Sequence, residues 1–507
     1  MATNLILSGN KYKEILYLIL SWVIIFISRL VLLLKTDDFH ALAAGKVLII
    51  DHFLRNPFIL KDAYIAVHPP GHLFFLFITL KLFYDTLFAP RLVSLLFGSV
   101  LVFPFYYYTK SIFNTKIAVF SLFAIALYSQ HIIYSVIATQ DTTFHFFLFL
   151  SFLLFFFHCK TQNQKYLFFT ALALGFTGLC RYEGMAFIPL FTFFIAKNNF
   201  KRAIVFFLLA SLLPLSWIFI NYKFGDNSTF FDFSSCFGSG VPMQFHWIRS
   251  QGFKIDFIDK LLYWPLILVN TLGWATPILG LGGIIYCLKE KKNFFSVTAF
   301  IMLFLMFMVK TLEEQVYLQP RYSITLGLML IPFSLYALFK IASLLKINIK
   351  FANILAVILL ATMISAIGQN ILSEPLFAPS FAKNIAVYLK HNVNEKDCIL
   401  VDDCGDEKYK EPIKLLSKVN PKQFVFAVLR IEQNGRWVID EKMFFDALEK
   451  HNVTCLLYSP YGSFASVLKL NPGKIPDIIN GFIFAMAYEN GPYQVYWVKK
   501  DPEKRKN

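Results

Sequence analysis

Five short polar clusters interrupt an otherwise apolar chain, and their residue types are those of acid–base and anion chemistry. The first is Thr36-Asp37-Asp38-Phe39-His40. Adjacent carboxylates could supply a general base or a metal ligand, or could simply end a helix in solvent. Next comes Val67-His68-Pro69-Pro70-Gly71-His72, where two prolines disfavour helix and stiffen the backbone around His68 and His72. Such a turn suits an anion or metal contact, or no more than an interfacial bend. Thr139-Gln140-Asp141, with His145 one turn on, offers either a second acidic or metal site or a charge favoured by a helix N-terminus. Arg181-Tyr182-Glu183 could bind an anion or pair within itself. Gln319-Pro320-Arg321-Tyr322 adds another guanidinium, in a setting where Arg and Tyr also serve as interfacial anchors. Gathered on one surface, Arg would hold a phosphate and a carboxylate would take a proton from a nucleophile.

The elements that must position these clusters are apolar. Of 507 residues, 57% are apolar and 16% charged, against about 25% charged in soluble domains. Mean hydropathy is +0.57, and Phe alone occupies 59 positions. That charge content excludes both a water-soluble globular chain and a disordered one. Apolar runs at 14–34, 91–109, 117–136, 142–158, 166–180, 184–196, 203–221, 261–287, 294–309, 323–339 and 351–370 predict a polytopic α-helical membrane protein. About 11 transmembrane helices are expected. The net charge of +16 follows the positive-inside rule and does not call for nucleic acid.

Parity turns on segment 72–84. Kept on one side as a helix lying at the interface, it leaves most loop Lys and Arg residues on the opposite side. The N-terminus is then cytoplasmic and all five polar clusters are extracytoplasmic. The membrane part is expected over 1–370 and an extracytoplasmic α/β domain over 371–507, where charges become frequent and long apolar runs stop. There the pattern predicts helix 381–391, strands 398–401 and 424–429, helix 441–451, strand 454–458 and two strands near 481–499. Neither a GxGxxG nor a P-loop occurs there. Cys398, Cys404 and Cys455 allow one disulfide, of undefined pairing.

In order and spacing the clusters resemble the membrane glycosyltransferases of the GT-C fold. The likeness is to the bacterial branch related to protein O-mannosyltransferases and the lipid A aminoarabinose transferase. Its carriers are Asp37-Asp38-Phe39-His40, His68-Pro69-Pro70 before an amphipathic helix, and Arg91-Leu92-Val93-Ser94-Leu95-Leu96-Phe97-Gly98. Thr139-Gln140-Asp141, Arg181-Tyr182-Glu183 and Arg321-Tyr322 complete the set, which covers roughly 14–345. The resemblance implies a polyprenyl-phosphate sugar as donor and Asp37 as the group that deprotonates an acceptor hydroxyl. Asp38 stands where Glu is common, His68 where some relatives carry a cation, and Asp141 at the second acidic position. Arg181 and Arg321, with Tyr322, are the expected phosphate contacts.

The acceptor, whether glycolipid, polysaccharide or protein, is left open, as is a divalent metal held by Asp37, Asp38, Asp141 or histidines such as His40. A transporter or flippase of lipid-linked sugars is an alternative, disfavoured by the absence of an internal repeat. A non-catalytic lipid-sugar-binding subunit is another. Lys-, Asn-, Ile- and Phe-rich composition suits a bacterial inner membrane and undecaprenyl phosphate.

Overall fold

The computed structural model describes residues 9–38, 40–55, 69–224, 255–316, 318–373, 376–402, 409–425, 430–433, 436–470 and 476–502. Packing divides the chain into two units. The first comprises Met1–Lys35, Phe58–Ile78 and Arg91–Glu374, and the second Thr36–Pro57, Thr79–Pro90 and Pro375–Asn507.

In the first unit the expected apolar runs are largely helical, the run 117–136 breaking at Tyr128 between Thr115–Leu127 and Ser129–Tyr134. Among the described residues, seven helices are long and apolar enough to cross a bilayer, or up to eight if one bent pair is a single span, with shorter apolar helices between them. Several helices begin at an Asn that accepts a backbone N–H: Asn114 from Ile117 at 2.9 Å, Asn163 from Lys165 at 2.9 Å, and Asn199 from Arg202 at 3.0 Å. Each Asn satisfies a donor that the helix cannot. A Lys or Arg follows within three residues, so cap and topogenic charge share one short loop.

Two expectations need correction. The run 261–287 is not one straight span: Phe257–Leu272 and Ala275–Lys289 meet at a 116° bend. Gly273 makes the bend at φ +75°, where a Cβ would lie 2.8 Å from the Thr362 carbonyl oxygen. The helix at 72–84 forms as Pro70–Phe83, but it is not amphipathic. Its buried side carries His72, Leu73, Leu76 and Leu80, and its exposed side is equally apolar, with Phe74, Ile78 and Leu82. At about 21 Å it is shorter than a bilayer core of roughly 30 Å.

Lipid tails are as apolar as Leu, so helix association in a bilayer rests on close packing and hydrogen bonds. Helix Ser323–Leu344 is the most enclosed of the long ones. It lies against Ala275–Lys289, where Gly280 makes room for the Leu330 side chain and Gly283 admits the backbone; a Cβ on Gly283 would fall 2.1 Å from the Phe333 carbonyl oxygen. The Ser334 hydroxyl donates to the Thr276 carbonyl across this contact at 2.7 Å. Phenylalanines fill much of the remaining interior. Phe147 and Phe176 lie 4.4 Å apart, and Phe155 sits 4.9 Å from both Phe191 and Phe295.

The second unit holds a five-stranded sheet of order β1-β4-β7-β6-β5, with β1 Ile399–Val401, β4 Cys455–Tyr458, β5 Asp477–Ile479, β6 Phe482–Asn490 and β7 Tyr493–Lys500. β1 and β4 are parallel, and the other pairs antiparallel. A separate hairpin joins β2 Arg430–Gln433 to β3 Arg436–Ile439. Period-two alternation along β4 supplies two cores. Cys455 and Leu457 pack with Ile385, Leu389 and Ile413, whereas Leu456 and Tyr458 pack with Phe444, Leu448 and Phe464. Helices Ser380–Asn392 and Lys410–Ser417 therefore cover one face and Glu441–Lys450 the other.

Of the expected strand 424–429, Phe424 forms a parallel bridge to Ile399, and 426–429 lie outside the described residues. The 410–417 helix, the hairpin and β5 were not expected. Cys398 and Cys455 are free thiols and Cys404 lies outside the described residues.

Asp402, at the end of β1, is fully buried and accepts from the backbone N–H of Ser459 and Phe464, each at 3.3 Å. Gly462 is required beside it, since a Cβ there would lie 2.2 Å from Oδ2. Burial pushes the Asp402 carboxyl up to about 6, against the lowering pull of those N–H groups. A folded-state value above the unfolded one means that this group's stabilisation is complete below about pH 4 and lost as pH rises through 6. Relative to wild type, Asp402→Asn should gain up to about 3 kcal/mol between pH 4 and 7. Unfolding of the full chain at several pH values measures this; a pH-independent difference would remove the titration. In the membrane unit, Gly283→Ala should lower stability by about 2 kcal/mol through overpacking. Gly282→Ala, whose nearest neighbour would be 3.9 Å away, should be tolerated. Equal melting temperatures in detergent would exclude the close approach at Gly283.

Candidate active site

Arg181 ends helix Gln164–Cys180 with extended dihedrals, which turns its side chain back into the membrane unit. It is 6% exposed. Its Nη2 donates to Glu183 Oε1 at 2.6 Å and its Nε to Oε2 at 3.3 Å, a forked pair. Nη1 donates to Asp141 Oδ1. The guanidinium also lies over the Tyr322 ring, 4.7 Å from its centroid. Asp141 is fully buried as the first residue of helix Asp141–Thr161, where the helix dipole favours its charge.

Arg321 sits in the short 3₁₀ turn Pro320–Tyr322 and is 5% exposed. Its Nη2 donates to the Tyr322 hydroxyl oxygen at 3.1 Å, but its buried Nε and Nη1 have no partner among the described residues. The two arginines thus differ sharply. Arg181 is engaged by both nearby carboxylates, and Arg321 keeps a donor edge for something else. His145 contributes a further polar group, its Nε2 2.9 Å from Thr325 Oγ1. His72 reaches Thr143 Oγ1 at 3.0 Å and ties helix Pro70–Phe83 to the same helix start.

The segment before Asp141 is held by the Arg91–Gly98 motif. At helical spacing, Arg91 Nε donates to the Val136 carbonyl at 2.8 Å and Ser94 Oγ to the Thr139 carbonyl at 3.2 Å. Gly98 completes the face, because a Cβ there would lie 2.4 Å from Ser135 Oγ. One helix face therefore anchors the turn that delivers Asp141.

In the second unit, the N–H groups of Asp37 and Asp38 both donate to the Leu376 carbonyl, at 2.9 and 3.2 Å. Asp38 adopts φ +52°, a left-handed conformation that Asp tolerates better than most residues. Asp37 Oδ2 accepts from the Ala378 N–H at 3.1 Å and pairs with Lys383 Nζ at 2.8 Å. Asp38 and His40 are buried, and His40 opens helix Ala41–Arg55.

Of the expected site residues, Asp141, Arg181, Arg321 and Tyr322 come together in the membrane unit, and Asp37, Asp38 and His40 form a turn in the other. His68 lies outside the described residues, as does most of the loop 222–260. Among the described residues no group of three or more His, Cys, Asp or Glu is placed to hold a metal. A cation at Asp141 would have to compete with Arg181. Lys383 was not expected; nothing in its sequence neighbourhood marks it. Arg29 was also missed, although a charge inside an apolar run is itself a signal. It is fully buried, donating to the Ile125 carbonyl at 3.0 Å and lying 3.1 Å from His131 Nδ1.

Residues 67–220 match the dolichyl-phosphate-mannose-protein mannosyltransferase family. A comparison with curated protein sequences finds no match. The fold is similar to that of ArnT from Cupriavidus metallidurans bound to undecaprenyl phosphate, with a TM-score of 0.59 at 13% identity over 94% of this chain and 97% of that one. It is also similar to the oligosaccharyltransferase AglB from Archaeoglobus fulgidus, in complex with an inhibitory peptide and a dolichol-phosphate. That comparison has a TM-score of 0.57 at 14% identity, over 89% of this chain and 70% of that one. The chain therefore shares the fold of ArnT and AglB, the fold of the GT-C glycosyltransferases, and its residues 67–220 carry the mannosyltransferase family match.

Proposed function

We propose that the chain moves a sugar from a polyprenyl-phosphate donor to an acceptor hydroxyl at the extracytoplasmic face of a bacterial inner membrane, inverting the anomeric carbon. The observation that carries this reading is Arg321, a buried guanidinium with two unmet N–H donors beside an Arg181 already committed to two carboxylates. Unmet buried donors are costly, and a phosphate matches that fork. The undecaprenyl phosphate bound to ArnT and the dolichol-phosphate bound to AglB support a lipid phosphate as the leaving group.

In the proposed step the acceptor oxygen attacks the anomeric carbon while Asp37 takes its proton. The bond from that carbon to the phosphate oxygen breaks, its electron pair stays with the phosphate, and Arg321 receives the developing charge. A single displacement inverts the centre and needs no protein nucleophile. Among the described residues Asp37 is bonded through Oδ2, and Oδ1 would take the acceptor proton. Arg181 has the supporting part of positioning Asp141, Glu183 and the Tyr322 ring.

Asp37→Asn should reduce transfer at least about hundredfold with donor binding intact. Purified enzyme and a lipid-phosphate sugar provide the assay; wild-type rates would remove Asp37 from the mechanism. Transport of the lipid-linked sugar without transfer would instead assign a flippase. Arg321→Gln should weaken undecaprenyl phosphate binding about tenfold and slow transfer by about a hundredfold. Arg181→Gln is the poorer probe, because it strands two carboxylates and destabilises the fold. Unaltered lipid-phosphate affinity in Arg321→Gln would move the phosphate elsewhere.

A further inference from the structure

Helices Gln164–Cys180 and Phe200–Phe224 run parallel, since Phe187–Ala196 returns the chain between them. They touch closely near their C-terminal halves. A Cβ on Gly175 would lie 2.8 Å from the Ala210 carbonyl oxygen, and one on Gly178 would lie 3.0 Å from Pro214 Cγ. Towards the N-termini larger side chains replace glycine, and a groove of about 340 Å³ opens. Leu167, Ala171, Val205 and Leu209 line its length, with Gln164, Lys201 and Arg202 at one end. Phe168 and Val205, which border it, are exposed on the surface of the bundle.

An acyl chain would fill any such apolar groove; the mouth makes this one selective. Both helices begin there, so two partial positive charges point at the same place. Asn163 and Asn199 side chains each cap one of these starts. Lys201 and Arg202 are exposed, and among the described residues neither has a carboxylate partner. On its other side Arg202 borders a recess lined by the polar His158, Gln162, Asn198 and Asn199. This mouth lies one helix length, about 25 Å, from Arg181. It is therefore at the opposite membrane border from the buried arginines.

We propose that this groove binds an anionic phospholipid, with one acyl chain along Leu167, Ala171, Val205 and Leu209 and the phosphate held by Lys201, Arg202 and the two helix starts. The complementarity is of charge as well as shape: a zwitterionic lipid would bring an ammonium group to a uniformly positive mouth. The bound lipid would brace the two helices at the end remote from Arg181. The site stands independently of the transfer reaction, and its test reads no activity.

The full-length protein, purified in detergent, is offered equal phosphatidylglycerol and phosphatidylcholine of matched chains, and retained lipid is read by native mass spectrometry. Wild type should retain phosphatidylglycerol about tenfold over phosphatidylcholine. Lys201→Ser with Arg202→Ser should abolish the preference, and Val205→Trp, which fills the groove, should lower retention of both lipids. Melting temperatures confirm that each variant is folded. Equal retention of the two lipids by wild type, or an intact preference in the doubly substituted protein, overturns the proposal. A dimer whose contact excludes the lipid also overturns it and assigns the groove to a second copy.

Discussion

A buried guanidinium demands a partner for nearly every N–H, and Arg181 meets that demand by drawing separate segments together. Its fork takes Glu183, two residues on, and its remaining edge takes Asp141 from the start of another helix. Tyr322, from a third segment, covers the cation's face. None of these side chains would be stable at its depth without the others. The same saturation explains why two arginines so close in chemistry have different capacities. Arg181 takes both oxygens of Glu183 and Oδ1 of Asp141, so of these two arginines it is Arg321 that keeps open donors among the described residues.

The order of the membrane helices was legible because its cause is composition: apolar runs separated by Asn-Lys loops leave little choice of state. The Arg91–Gly98 motif was legible as a pattern but not as a device. Only the positions of Val136, Thr139 and Ser135 show that its 91, 94 and 98 face holds one turn in place. The bend at Gly273 was hidden for the opposite reason. A glycine within an apolar run carries no signal of its own, and its conformation is imposed by the Thr362 backbone, distant in sequence. Likewise Pro70–Phe83 could be located but not characterised, since hydropathy does not report which apolar face meets lipid.

In the second unit, short strands with alternating burial were read correctly where both faces are packed. They were missed where pairing is brief or lies at an edge, as with β5 and the hairpin. The carboxylates at 37 and 38 stood out as a pair, but they behave differently. Asp38 uses its tolerance for left-handed backbone to make the turn, and Asp37 turns its side chain to the segment 376–383. Sequence could mark the pair as unusual; it could not connect Asp37 to Lys383, because that contact spans most of the chain.

Arg29 has a consequence for how the protein is made. It lies in the first apolar helix, yet the carbonyl it bonds is 96 residues later and the imidazole beside it 102 later. At the usual pace of synthesis those partners emerge roughly 5 to 20 seconds after Arg29. Until then the guanidinium lacks both partners, and an unmatched Arg within a span is costly, by up to about 2.5–3.5 kcal/mol at mid-helix. The helix that carries Arg29 can therefore settle only once the segment from Ile125 to His131 is in place, and until then is held so that Arg29 reaches water. The helix that carries Arg29 thus leaves the ribosome before the residues that hold its guanidinium, and a change at His131 would be felt in biogenesis as well as in the folded protein.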